Sequence, residues 1–248
     1  MRLRRYSLAF ILALSLPAAL LAGSKEKETA GKQVDSGTFG VFMAGRRMGT
    51  ETFSIAQNAN GSVIQSEFKT EGAASPAVQS SEMQLTGTGE IRRYDWKEVS
   101  PGKGQSGILP NDQFLTQKWS TNPDEKPMEQ PYLLPPTTSI LDDYFFIHRE
   151  VLVWKFLQTS CSKDSKGQLQ CPLKQHTQFG TLNPHQRSSS PVSMEFLGRE
   201  KITLRGAEQN LLKVELKSET GAWQLWLDDQ FKVQRMSIPT ENTEVVRD

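Results

Sequence analysis

Short segments in which apolar and polar residues alternate, each closed by turn residues, recur along most of this chain. Alternation with a period of two is typical of half-buried β-strands. Turns separate the segments at intervals of about 8–12 residues, a spacing typical of a meander or a barrel. The chain is therefore predicted to be mainly β. The clearest segments cover residues 38–43, 50–57, 62–71, 83–88, 90–99, 194–197, 202–204, 211–216, 223–227 and 233–238.

One segment breaks this pattern, because residues 140–157 contain neither Gly nor Pro. Its apolar residues cover a wider arc of a helical wheel than the stripe of an ordinary surface helix. Thr138 or Ser139 is a suitable N-cap, and Asp142 and Asp143 suit the positive end of a helix. We predict a helix over residues 139–158 that is buried on most of its circumference, with Arg149 and Glu150 on its polar side.

The fold expected from both patterns is an antiparallel sheet of about ten strands around one long helix. The sheet is expected to be strongly curved or part-closed, as in a half-barrel. We expect a signal peptide at 1–24, a flexible lead-in at 25–36, one β-rich domain at 37–240 and a C-terminal tail at 241–248. Within the domain, residues 101–136 are rich in Gly, Pro, Asn and Gln, which predicts a long loop with one strand near 114–119.

The N-terminus follows the plan of a secretory signal peptide. Arg2, Arg4 and Arg5 precede an apolar run over residues 8–22, and Ala22 and Ser24 suit cleavage near Ser24. An uncleaved anchor is the alternative, although the run is shorter than the ~20 apolar residues that span a bilayer. Without residues 1–24 the chain has 26 basic and 28 acidic residues. We therefore expect a soluble periplasmic or extracellular protein with no membrane span and no nucleic-acid partner.

The cysteines are two, Cys161 and Cys171. An even count in an exported chain favours a disulfide. The residues between them contain a good turn at 164–167, so two short strands would bring the thiols together. A metal site is the alternative, but the close Cys/His spacing of zinc sites is missing.

The predicted helix contains an unexpected polar residue, because His148 lies near the centre of the apolar arc. It is either a core histidine bonded to a carbonyl or hydroxyl, or a group at the edge of a pocket between helix and sheet. Catalysis by His148 is a third alternative. In the pocket interpretation, an apolar ligand contacts the following residues: His148, Tyr144, Phe145, Leu152 and Trp96.

Known catalytic and cofactor motifs are missing from the sequence. Residues 102–107 are rich in Gly but do not match the P-loop spacing, and there is no Gly-x-Ser-x-Gly elbow. With three His and no dense acidic cluster, we expect no catalytic metal, no cofactor and no enzymatic activity.

Three stretches resemble a group of exported bacterial proteins of unknown function. They are the opening hairpin at 39–53, the helix region from Leu141-Asp142-Asp143 to His148, and the closing strands from Trp226-Leu227-Asp228-Asp229 to Arg235. Together they extend over most of residues 38–238. The resemblance implies a curved antiparallel sheet around one helix, similar in outline to the half-barrel lipoprotein carriers of the cell envelope. It implies no catalytic residues.

These observations leave three functional hypotheses. The first is a carrier that binds an apolar or lipid-like ligand between the helix and the sheet. The second is a structural or interaction protein of the cell envelope with a filled core. The third is an enzyme that uses His148. A pocket around His148 would favour the first hypothesis, and a filled interior would favour the second.

Overall fold

The first half of the chain is an antiparallel meander. The computed structural model describes residues 31–72, 74–165, 169–219 and 221–248, so the predicted signal peptide lies outside the described residues. Each strand of the meander pairs with the next one along the chain. Its strands are β1 (Lys32–Met43), β2 (Arg46–Asn58), β3 (Gly61–Thr70), β4 (Val78–Thr86), β5 (Ile91–Ser100), β6 (Gln105–Asn111), β7 (Phe114–Ser120) and β8 (Met128–Tyr132).

A short strand, the helix and a small hairpin follow. β9 (Ser139–Ile140) precedes α1 (Ile147–Ser160), and β10 (Ser162–Lys163) pairs with β11 (Leu169–Gln170). Cys161 and Cys171 flank this hairpin and form the predicted disulfide, with an S–S distance of 2.06 Å.

The second meander returns to the first strand of the chain. The last strand of the chain, β17 (Thr243–Arg247), lies between β16 (Val233–Ile238) and β1, so the two meanders form one sheet of fifteen strands in the described chain. The pairing of β9 with β12 (His176–Asn183) is parallel, whereas the others are antiparallel. The strands are β12 (His176–Asn183), β13 (Ser188–Leu204), β14 (Ala207–Ser218), β15 (Gly221–Leu227), β16 (Val233–Ile238) and β17 (Thr243–Arg247), with a 3₁₀ turn at Pro239–Glu241.

The fold class is confirmed as mainly β with one helix, but the prediction of about ten strands is wrong. The sheet is open, with β8 at one edge and β9 at the other. The predicted loop at 101–136 contains β6, β7 and β8. Its Pro110 lies beside the hairpin turn and Pro131 lies on the edge strand, positions where a strand tolerates proline.

The sheet also includes residues from the two segments that were predicted to flank the domain, the lead-in and the C-terminal tail. β1 begins within the expected lead-in, and β17 occupies most of the expected tail at 241–248. The second half of β1 was predicted at 38–43, but the polar residues at its start gave no strand signal. The segment that forms β17 was missed as a strand, and one of its faces is half-exposed. Val245 of β17 is fully buried against the core, which explains why the segment is ordered as a strand.

The helix begins eight residues later than predicted, at Ile147. Asp142 is drawn into a buried cluster instead of the first helical turn, and its Oδ1 accepts a hydrogen bond from the Tyr144 N–H. The helix packs against the sheet, and the hydrophobic core lies between them. Fully buried helix residues such as Leu152, Val153 and Phe156 contribute to this core.

Candidate functional site

A row of aromatic rings crosses the N-terminal end of α1, joining side chains from both meanders. The Trp96 ring lies 4.3 Å from that of His185, which lies 4.6 Å from Tyr144. Phe68 follows at 6.3 Å from Tyr144, then Phe146 at 6.5 Å, and Trp223 at 5.9 Å from Phe146. Tyr144 is 38% exposed, so the row reaches solvent. We define the aromatic row as Trp96, His185, Tyr144, Phe68, Phe146 and Trp223.

A carboxyl group from β2 fixes the start of the helix beside this row. Glu51 is fully buried, and its two oxygens accept hydrogen bonds from the N–H groups of Phe146 (2.7 Å) and Ile147 (3.2 Å). The Ser66 hydroxyl also donates to Glu51, at 2.7 Å. Unpaired N–H groups at a helix start favour such an acceptor. Burial nevertheless raises the pKa of Glu51 to about 7.

A second buried carboxyl holds the histidine of the row. Asp142 accepts a hydrogen bond from the Tyr94 hydroxyl at 2.5 Å, and the same oxygen lies 2.9 Å from Nδ1 of His185. Although burial raises the pKa of Asp142, the hydrogen bond and charge of His185 outweigh it and lower the pKa. Nε2 of His185 is buried and has no hydrogen-bond partner among the described residues.

His148 lies beneath the row and is sealed from solvent. It is 1% exposed, and neither ring nitrogen has a partner in the described parts of the chain. The rings of Tyr94 and Phe145 lie 5.6 and 5.7 Å away. Burial lowers the pKa of His148 to about 4, so the ring is neutral near neutral pH.

A guanidinium group stacks on the end of the row. The Arg149 guanidinium carbon lies 4.4 Å from the centre of the Trp223 ring and 5.1 Å from that of Phe146. Nη1 donates to the carbonyl oxygen of Asp142 at 3.3 Å. Burial lowers the pKa of Arg149.

Glu150, the residue after Arg149, belongs to a buried network of ion pairs. Both Glu150 and Asp35 accept hydrogen bonds from Nη2 of Arg247 at 2.8 Å, and Lys232 lies 3.0 Å from Asp35. Burial raises the pKa of Asp35, but the hydrogen bond from Arg247 and others lower it overall to about 2. This network joins α1 to the first and last strands of the chain, β1 and β17, which are neighbours in the sheet, and we assign it a structural role.

Four of the five predicted ligand residues meet around the start of the helix. Trp96 and Tyr144 belong to the aromatic row, and Phe145 contacts His148 behind it. Leu152 is 1% exposed and lies in the core, away from the row's exposed face. The linings of three clefts on the described part of the chain do not include His148.

Sequence analysis missed three residues that shape the site. Asp142 was assigned to the helix start, and His185 lies in the turn between β12 and β13, where no local pattern indicates a site. Glu51 lies on a strand at a position that the alternation places on the buried face, between the buried Gly49 and Phe53. A carboxyl on the buried face of a strand is the signal that could have identified it.

A large cleft lies on the opposite face of the sheet. It measures about 860 Å³ and crosses β2 to β7. Its floor is formed by six residues on neighbouring strands, each paired with the next across the sheet. They lie on the face opposite to the buried Ile64 and Met83. These floor residues are Ser54, Gln65, Glu82, Asp95, Gly107 and Lys118. The cleft is therefore polar and separate from α1.

Two further observations concern metals and membranes. Within the described ranges, no three His, Cys, Asp or Glu side chains are grouped so that they could hold a metal ion. No helix in that same part of the chain combines the length and the hydropathy needed to cross a membrane.

Comparison with known proteins gives little further information. The chain matches no protein-family model and no curated protein. Among solved structures, it is similar to a DUF1089 family protein from Pseudomonas aeruginosa, with a TM-score of 0.41 and 8% identity over 77% of this chain and 90% of that one. We draw no functional argument from a likeness at this level.

Proposed function

We propose that this protein is an exported, non-catalytic binding protein whose ligand places an apolar part against the aromatic row. The observation that carries this proposal is the unbroken series of ring contacts from Trp96 to Trp223, which reaches solvent at Tyr144. Partly exposed aromatic rings offer a large apolar area for a ligand, and their geometry here is fixed by neighbouring contacts.

The row is a better candidate than the space between helix and sheet. That space is filled by the side chains of Phe145, Leu152 and Val153, each at most 1% exposed. A ligand on the row would instead meet the exposed ring of Tyr144, the half-buried rings of Trp96 and Trp223, and the edge of His185, while Phe68 and Phe146 lie buried between them. The packing of the core therefore supports a site at the N-terminal end of α1.

Export and the absence of catalysis are part of the same proposal. The arginines at 2, 4 and 5, followed by the apolar run, support export. A non-catalytic role is supported by Nε2 of His185, which no hydroxyl or thiol contacts among the described residues. Nucleophilic catalysis needs such a group within hydrogen-bond reach of the base.

The first test is native mass spectrometry of the protein purified from the periplasm. A bound apolar mass that leaves on denaturation is the expected result, and it would identify the class of ligand. The second test titrates the protein with a dibrominated fatty acid, which quenches tryptophan fluorescence on contact. We expect quenching of the wild type, and loss of most of it when Trp96→Phe and Trp223→Phe are combined.

Trp226→Phe is the matched control for the quenching experiment. Trp226 lies on the outward face of β15, stacked under Arg235 at 4.8 Å, and should not contact the ligand. Equal loss of quenching in the control and in the double variant would contradict a site on the row.

An interaction protein of the cell envelope is the second candidate. The observation that favours it is the polar cleft of about 860 Å³ together with the filled interior. A bare polypeptide in native mass spectrometry, with no quenching by the fatty acid, would reject the aromatic row as a ligand site and favour this second candidate.

A further inference from the structure

Arg149 is a buried cation whose donors are mostly unused. The residue is 8% exposed, and the hydrogen bond to the Asp142 carbonyl is the one that its guanidinium makes within the described chain. It forms no ion pair there. A guanidinium has five N–H donors in a planar fork. Most of the donors of Arg149 are therefore left for another partner.

This arrangement is unusual for a buried charge. Buried charges are normally paired and hydrogen-bonded, because losing hydration is costly. The adjacent Glu150 follows that rule, since Arg247 contacts it at 2.8 Å. The Arg149 guanidinium instead lies against two neighbouring rings, those of Trp223 and Phe146, whose centres are 5.9 Å apart. Contacts with ring faces do not use its N–H donors, which stay free for hydrogen bonds.

The acidic groups near Arg149 are committed elsewhere. Asp142 contacts Tyr94 and His185, and Asp143 accepts a hydrogen bond from Gln186 at 3.0 Å. The carboxyl of Glu51 is bonded to the helix N–H groups and Ser66. These acids attract Arg149 through space, but none of their carboxyl groups forms a hydrogen bond or an ion pair with its guanidinium.

We propose that Arg149 binds the acidic head group, a carboxylate or a phosphate, of an amphipathic ligand whose apolar chain lies on the aromatic row. The inference rests on the proposed function, because the row supplies the contact for the chain. The planar fork matches the paired oxygens of both head groups, which it can bind through two parallel hydrogen bonds.

The test compares three probes with the same chain and different head groups: dodecanoate, dodecyl phosphate and dodecanol. Each is titrated below its micelle concentration into the full chain, with tryptophan fluorescence and calorimetry as readouts. We expect one or both acids to bind roughly tenfold or more tightly than the alcohol, as hydrogen bonds to a charged group require.

Substitution of the arginine separates the head group from the chain. Arg149→Met should remove most of the difference in affinity between the two acids and dodecanol. Arg235→Met is the matched control, because Arg235 also stacks on a tryptophan but on the opposite face of the sheet. If Arg149→Met fails to fold, Arg149→Lys keeps the charge, removes the fork and should lower the acid preference.

The outcomes distinguish this inference from the proposed function. Equal affinity of the wild type for all three probes would overturn the role of Arg149 but leave the aromatic row as a binding site. A preference for the acids that remains in both Arg149→Met and Arg149→Lys would also overturn the role of Arg149 and leave the aromatic row as a binding site. Failure of all three probes to bind would reject both proposals. Binding of one acid but not the other would support the inference and identify the head group.

Discussion

Replacing the carboxyl that caps α1 should change how stability depends on pH. The Glu51→Gln substitution keeps an oxygen that can accept the Phe146 N–H and an amide that can donate to Ser66, but it removes the charge. The variant is therefore expected to fold with the same helix start. Any pH dependence contributed by the carboxyl should disappear.

The magnitude follows from the pKa of Glu51, which burial raises from 4.5 to about 7. Because the folded-state pKa is raised, the stability from the protonated carboxyl is fully present below about pH 4.5. It is lost as the pH rises through about 7. At about 1.4 kcal/mol per pH unit, this loss is about 3 kcal/mol. The wild type should therefore lose about 3 kcal/mol relative to the variant between these pH values.

The assay is urea unfolding of both proteins at several pH values from 4 to 8, monitored by circular dichroism. The comparison with the variant is necessary because His148 acts in the opposite direction. Its pKa is lowered by burial to about 4, so its contribution to stability is lost as the pH falls from about 6.5. This contribution is common to both proteins and cancels. A difference that stays constant from pH 4 to 8 would refute the reasoning.

Two further predictions concern the interactions that hold the helix and its following hairpin. Arg247→Met should lower the free energy of unfolding by about 3–5 kcal/mol, because Glu150 and Asp35 remain buried after losing a cationic partner. Denaturant titration measures this, and a loss below about 1 kcal/mol, as for an exposed pair, would contradict the buried network. Replacing Cys161 and Cys171 by Ser should cost about 2–3 kcal/mol, because the disulfide closes a short loop in the unfolded chain. Thermal unfolding measures this cost, and identical melting of both proteins would contradict it.

The fold class could be predicted from the sequence because alternation is a local property. The alternating segments overlap strands, with 194–197 and 202–204 both inside β13. The run without Gly or Pro at 140–157 covers most of the helix. Strands with weak alternation were missed. β12 begins with the polar His176-Thr177-Gln178, and β8 contains Pro131, so neither has a local signal. Their pairing partners supply the order that their own sequences do not indicate.

The site was harder to predict, because its contacts join residues that are distant in sequence. Asp142 and His185 are 43 positions apart, and Glu51 is 95 positions from Phe146, whose N–H donates a hydrogen bond to it. One predicted cap, Ser139, is instead part of β9. A carboxylate at the helix start was expected from local sequence, but the carboxyl group that fills this role comes from another strand.

The polar side of the helix explains why the candidate site lies where it does. Alternation and helical periodicity placed Arg149 and Glu150 on a side that should have faced solvent. In a sheet of fifteen strands α1 has almost no such side, and both residues are buried. A polar group inside a core needs a partner. Glu150 has Arg247, whereas beside the aromatic row neither ring nitrogen of His148 has a partner among the described residues, and the guanidinium of Arg149 makes one hydrogen bond there. Polar groups without partners and partly exposed rings thus coincide at one end of the helix, and this coincidence is the physical basis for placing a ligand there.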